Sequence, residues 1–139
     1  FFSQSRPQVS LVPSALAAKT SVATIISSQS ATAFAPKHRQ AQIKKLAKGT
    51  NAFIGELRLE PGAKVPIHRD ATEEYLYFLS GGGLITIDGA QHAISPGDVV
   101  FMPAGAEVSF ANGAIASRII QVFAGPSPAK KYDTWIPLR

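Results

Sequence analysis

Residues 62–81 read GAKVPIHRDATEEYLYFLSG. Pro61-Gly62 is a turn signal, because proline presets one backbone angle and glycine tolerates a positive φ. Lys64 to Asp70 and Glu74 to Leu79 then read as strands, and Ser80 to Gly83 as a glycine-rich bend. His68 and Asp70, two apart on one strand, share a face. Glu74 converges on them after a short break. Of the adjacent Glu73 and Glu74, only one can point inward on a regular strand. The other is expected as a solvated edge charge that compensates Arg69.

Strand signals continue on both sides. Gln42 to Lys48 and Ala52 to Leu59 precede the stretch, the second with Phe53, Gly55, Leu57 and Leu59 on one face. Leu84 to Ile87, the Asp88-Gly89 turn, Gln91 to Ile94, Asp98 to Met102, Glu107 to Phe110 and Ser117 to Phe123 follow it. Many short strands with frequent turns and no long helical period predict an all-β fold, a single antiparallel β-barrel of the jelly-roll type. Residues 36–124 are assigned to the barrel. Residues 1–35 are read as a β-prone arm, with short stretches at Val9 to Val12 and Ser21 to Ile26 and one possible helical turn from Ser14 to Ala18. That arm adds strands to the barrel or to a partner, or is disordered. Residues 125–139 contain Pro126, Pro128 and Pro137 and are read as a tail packing on the barrel or on a partner. Tyr132, Trp135, Ile136 and Leu138 anchor it, with a pocket lid as the alternative role for the aromatics.

A second stretch, residues 97–112, reads GDVVFMPAGAEVSFAN. With residues 62–81 it resembles the paired motifs of the cupin family. The first motif begins and ends in glycine and spaces His, His and Glu between them, here matched by Gly62, His68, Asp70, Glu74 and Gly81. The second opens with Gly-Asp and contains Pro-x-Gly, here Gly97, Asp98, Pro103 and Gly105. The resemblance implies a cupin-type double-stranded β-helix. It implies a divalent metal held by His68, Asp70 and Glu74, with iron, manganese, nickel or zinc as candidates. Two positions depart from the pattern: Asp70 stands for the second His, and Val108 for the last. Asp can donate oxygen, whereas Val cannot donate at all.

The residue chemistry leaves two readings open. One nitrogen and two carboxylates are the donor types of a facial triad. The same groups could instead form a hydrogen-bonded polar cluster at the barrel mouth. Glu74 and Asp70 are the candidate proton acceptors of an enzyme acting on a small organic molecule, of oxygenase, isomerase or decarboxylase type. The alternative is a non-catalytic barrel that binds a small ligand or serves in assembly. If Val108 faces the lumen then so does Phe110, with Met102 and Val100 as companions, and Gln121 either brings an amide to the same pocket or lies on the outer face. Ordinary core filling is the competing reading for the apolar members. Tyr75 and Tyr77 are expected in core or subunit packing, Asp98 as a turn cap, and His38 and His92 as solvated residues.

Composition sets the outer limits. The chain has 139 residues, 45% hydrophobic and 17% charged, which fits one globular domain. No Cys is present, which removes disulfides and thiol chemistry. The net charge of +5 is uneven: the first fifty residues hold seven Lys or Arg and no acid, whereas the rest hold seven basic and nine acidic groups. The expected barrel is therefore slightly acidic, and no nucleic-acid partner is expected. No apolar run approaches the roughly 20 residues that span a bilayer, so no membrane partner is expected. The sequence starts at Phe1, so a native N-terminus is expected to be missing or processed, with the compartment undetermined between cytoplasm and export. Exposed strand edges predict a homodimer, with the N-terminal arm crossing to the neighbour.

Overall fold

The computed structural model describes residues 22–138. In chain order the strands are β1 (Ala33–Ala35), β2 (Ala41–Lys48), β3 (Ala52–Leu59), β4 (Lys64–Arg69), β5 (Glu73–Ser80), β6 (Gly83–Ile87), β7 (Ala90–Ile94), β8 (Val99–Met102), β9 (Glu107–Asn112), β10 (Ser117–Ala124) and β11 (Ile136–Pro137), with a 3-10 helix at Ser127–Thr134 before β11. Every paired ladder is antiparallel. Alternation of apolar and polar residues puts one face of each central strand inside. In β3, Phe53, Leu57 and Leu59 are buried as the pattern predicts, while the intervening side chains are more exposed.

The expected barrel resolves into two hydrogen-bonded sheets, a seven-stranded one in the order β11-β1-β2-β3-β10-β5-β8 and a four-stranded one in the order β4-β9-β6-β7. The apolar core draws on both, with Phe78, Phe123, Ile43 and Ile119 from the larger sheet and Ile85 and Phe110 from the smaller. Phe78 and Phe110 meet with ring centroids 5.6 Å apart. Turn chemistry sets the connections. Asp88 and Gly89 both have positive φ, 47° and 85°, as a two-residue hairpin with the sheet's twist requires. Gly82, at φ 129°, lies where a Cβ would come within 2.2 Å of the Ile94 carbonyl oxygen, so that bend accepts no side chain. Asp98 caps its turn by accepting the Ser95 N–H at 2.8 Å.

Several expectations are corrected. Residues 22–26 form no strand; Val22 and Ile25 are exposed, and among the described residues no strand pairs with them. The residues before position 36 do add a strand to the fold, β1, which pairs with β2 and β11. The stretches Val9 to Val12 and Ser14 to Ala18 lie outside the described residues. The tail turns into a 3-10 helix whose Ala129 and Tyr132 are buried. Tyr75 and Tyr77 are not core residues. They stand on the outer face of the large sheet, where a row of apolar side chains runs across four strands from Ile54 through Val122 and Tyr75 to Phe101. Among the described residues, no helix is long and apolar enough to cross a membrane.

Candidate functional site

His68 is near the end of β4, where its Nδ1 lies 2.9 Å from the Pro66 carbonyl oxygen. Its other ring nitrogen, Nε2, faces Asp70 Oδ2 at 3.4 Å. Asp70 follows the strand, and its Oδ1 accepts from Lys131 Nζ at 2.8 Å. Lys131 is carried on the 3-10 helix, which packs against β10. Glu74 is the inward member of the acid pair and only 6% exposed, while Glu73 is exposed. Glu73 does not compensate Arg69 as expected. The Arg69 guanidinium reaches the Gly105 carbonyl at 2.7 Å and Glu107 at 3.3 Å, whereas Glu73 accepts from the Tyr75 hydroxyl.

Behind Glu74 is a buried chain of hydrogen bonds. Tyr132 donates its hydroxyl proton to Gln121 Oε1 at 2.7 Å, and Gln121 Nε2 donates to Glu74 Oε2 at 2.7 Å. An ionised Glu74 carboxylate can only accept, which turns the amide nitrogen towards it and leaves the amide oxygen to Tyr132. Gln121 thereby escapes the cost of an unpartnered buried amide.

Burial pushes the Glu74 carboxyl up to about 7; the nearby Asp70 charge adds to this, while the Gln121 hydrogen bond, Lys131 and His68 oppose it. The hydrogen bond to Asp70 raises His68 above its ordinary value against the opposing effect of burial. For Asp70, burial pushes upward, but the hydrogen bonds from His68 and Lys131 outweigh it and hold the carboxyl below its usual range. Burial, chiefly, drives the Tyr132 hydroxyl well above its ordinary value. It stays a donor.

These groups border one cavity of about 400 Å³, which His68, Asp70, Glu74, Gln121, Lys131 and Tyr132 help to line. Its size suits a small molecule. A narrower space of about 50 Å³ is lined by Met102, Val108 and Phe110 together with His68 and Glu74. The structure therefore brings every sequence-predicted site residue to one of two spaces that share His68 and Glu74. Val100 is buried in the core and lines neither. A larger cleft of about 590 Å³, bordered by Val22, Lys45 and Asp133, holds no buried ionisable group. The buried and half-buried titratable groups gather at the cavity of about 400 Å³ instead. Sequence reasoning missed Lys131, and it took Tyr132 for an anchor rather than the end of a hydrogen-bond chain. No local pattern marks either residue, because Lys131 meets a partner 61 positions away.

The three donors expected to hold a metal line the cavity, and each has at least one atom paired within the protein. Asp70 is shared between His68 and Lys131, and Glu74 accepts from Gln121. Across the β4–β9 ladder His68 is paired with Val108, which has no donor atom. Among the described residues, no group of three or more His, Cys, Asp or Glu side chains is placed so that it could hold a metal ion. In this arrangement the three side chains are not gathered into one metal-holding set.

Residues 55–117 match the cupin domain family (Cupin_2). The chain is 30% identical over 97 residues to the dimethylsulfoniopropionate lyase DddW of Ruegeria pomeroyi, a match covering 66% of this chain and 64% of that protein. It spans less than two thirds of the length of the curated relatives it matches. Among solved structures, KdgF from a Halomonas species superposes with a TM-score of 0.69 at 16% identity, covering 75% of this chain and 94% of its own. A predicted oxalate decarboxylase from Thermotoga maritima superposes with a TM-score of 0.66 at 21% identity, covering 73% and 99%. The two-sheet architecture and the matched segment together identify residues 55–117 as a cupin-like domain.

Proposed function

We propose that this chain is an enzyme that moves a proton on a small organic acid, with Glu74 as its acid–base group. The observation that carries the reading is the Glu74 carboxyl itself, buried at the cavity and held at about 7. A group with that proton affinity accepts and returns a proton near neutrality with little penalty in either direction. Gln121 occupies Oε2, so proton transfer falls to Oε1. The relative from Ruegeria pomeroyi supports the substrate class, since dimethylsulfoniopropionate is a small carboxylate. In an elimination of lyase type, Glu74 takes the proton from the carbon next to the carboxylate. The C–H electron pair becomes a carbon–carbon double bond, and the bond to the β substituent breaks with its pair going to the leaving group. For dimethylsulfoniopropionate, the first candidate, the leaving group is the sulfide. No step is routed through a metal.

The test is proton NMR in deuterated buffer at neutral pH with dimethylsulfoniopropionate and a panel of short carboxylic acids. Loss of the α-hydrogen signal or elimination is expected with the wild type, slowed about a hundred-fold or more in Glu74→Gln. Equal rates in the two proteins would refute the role of Glu74. The complete Tyr132–Gln121–Glu74 chain also favours a second reading, a binding barrel that holds a ligand without turning it over. That reading predicts binding without exchange. The apolar row on the outer face supports a homodimer formed there, since large exposed apolar patches mark interaction surfaces.

A further inference from the structure

We infer that Lys131 is a tethered cation that serves this cavity in place of a divalent metal and receives the carboxylate of a small organic acid. The inference rests on reading the cavity as a substrate site, and it names the substrate's anchoring group. Lys131 Nζ is 2.8 Å from Asp70 Oδ1, and the Asp70 carboxylate also faces His68. A divalent ion placed between His68 and Asp70 would meet an ammonium already holding one of its oxygens. Two cations a few ångströms apart in a partly dry site repel by several kcal/mol. The backbone that carries Lys131 is pinned by buried Ala129 and Tyr132 on either side, which keeps the ammonium within reach of the cavity. Its Nζ also lies 5.3 Å from the centroid of the Phe123 ring, a favourable cation–π placement.

Asp70 accepts a hydrogen bond from one of the ammonium's three N–H groups. The side chain is 36% exposed and borders the cavity, so the remaining donors are accessible to a ligand oxygen. The other cation beside the site, Arg69, is committed to Gly105 and Glu107. Lys131 is therefore the ammonium positioned to orient an anionic group, with Glu74 in the same cavity to act on the adjacent carbon.

The experiment combines metal content with ligand binding. Protein is produced with iron, manganese, nickel and zinc supplied, purified without chelator and assayed for metal by elemental analysis. Propionate binding is measured by saturation-transfer NMR and calorimetry for the wild type, Lys131→Met, Lys131→Arg and the double variant Asp70→Asn/Lys131→Met. The expected results are metal well below one ion per chain and propionate binding weakened about ten-fold or more in Lys131→Met, the scale of one charge-assisted hydrogen bond. Binding by Lys131→Arg stays within a few-fold of the wild type. The double variant removes the stranded Asp70 charge and keeps the fold neutral at that point; its binding stays weak. A stoichiometric transition metal lost in His68→Ala overturns the inference. So does undiminished binding in Lys131→Met, recovery in the double variant, or a wild type that does not take up propionate at millimolar concentration. These readouts do not involve turnover, so failure here is distinguishable from failure of the Glu74 proton-transfer role.

Discussion

Replacing Glu74 by Gln should make this protein more stable at high pH while leaving its stability near pH 4.5 almost unchanged. The folded state raises the Glu74 carboxyl from 4.5 to about 7, so it binds that proton more tightly than the unfolded chain does. The stability this provides is fully present below pH 4.5 and is lost as pH rises through 7. At about 1.4 kcal/mol for each ten-fold change in proton affinity, the loss amounts to about 3 kcal/mol. Gln is nearly isosteric, can still accept the Gln121 N–H, and has no proton to lose. Urea denaturation of the wild type and Glu74→Gln should therefore give similar free energies at pH 4.5 and a gap of about 3 kcal/mol in favour of the variant at pH 8.5. Thermal melts should separate by roughly 10 °C at the higher pH. Asp70, Lys131, His68 and Tyr132 all face this carboxyl and titrate or carry charge themselves, so the difference between the two proteins isolates the Glu74 contribution. Parallel pH profiles for the two proteins would refute the claim that the buried carboxyl is held near neutrality, and with it the acid–base assignment.

Two further perturbations address other parts of the molecule. Asn112→Ala removes an amide whose Nδ2 reaches the carbonyls of Leu59, Glu60 and Ile115 and whose Oδ1 accepts from Ser117; leaving these groups unpartnered should cost about 3 kcal/mol in urea denaturation, and a loss under about 1 kcal/mol would show that the network is not structural. Phe101→Glu places a charge in the exposed apolar row beside Tyr75, whose ring centroid is 5.2 Å away; light scattering should show a dimer in the wild type and a monomer in the variant, and an unchanged mass would move the interface elsewhere.

Strand positions were legible because period-two alternation and glycine turns are local. Ala52 to Leu59 was read with its observed bounds, and the Asp88-Gly89 turn was read from its residues alone. The same locality misleads at residues 22–26, a β-prone stretch with no strand beside it among the described residues. At Tyr75 and Tyr77, expected in core or subunit packing, alternation sorts both onto one face, and only the tertiary structure shows that this face is not the core.

For the site, the sequence by itself determined the fold family and the presence of His68, Asp70, Glu74 and Gln121 around one space, because parity along a strand and a spaced motif survive translation into coordinates. Tertiary structure decided their chemistry. Whether Glu74 meets water or protein, whether Gln121 points its amide nitrogen at it, and whether Asp70 faces a metal or an ammonium depend on what the rest of the chain brings alongside. The residues that answer those questions, Lys131 and Tyr132, come from a 3-10 helix in the tail. The energies that set proton affinity and charge pairing act through space, and a pair 61 positions apart leaves no local periodicity to read.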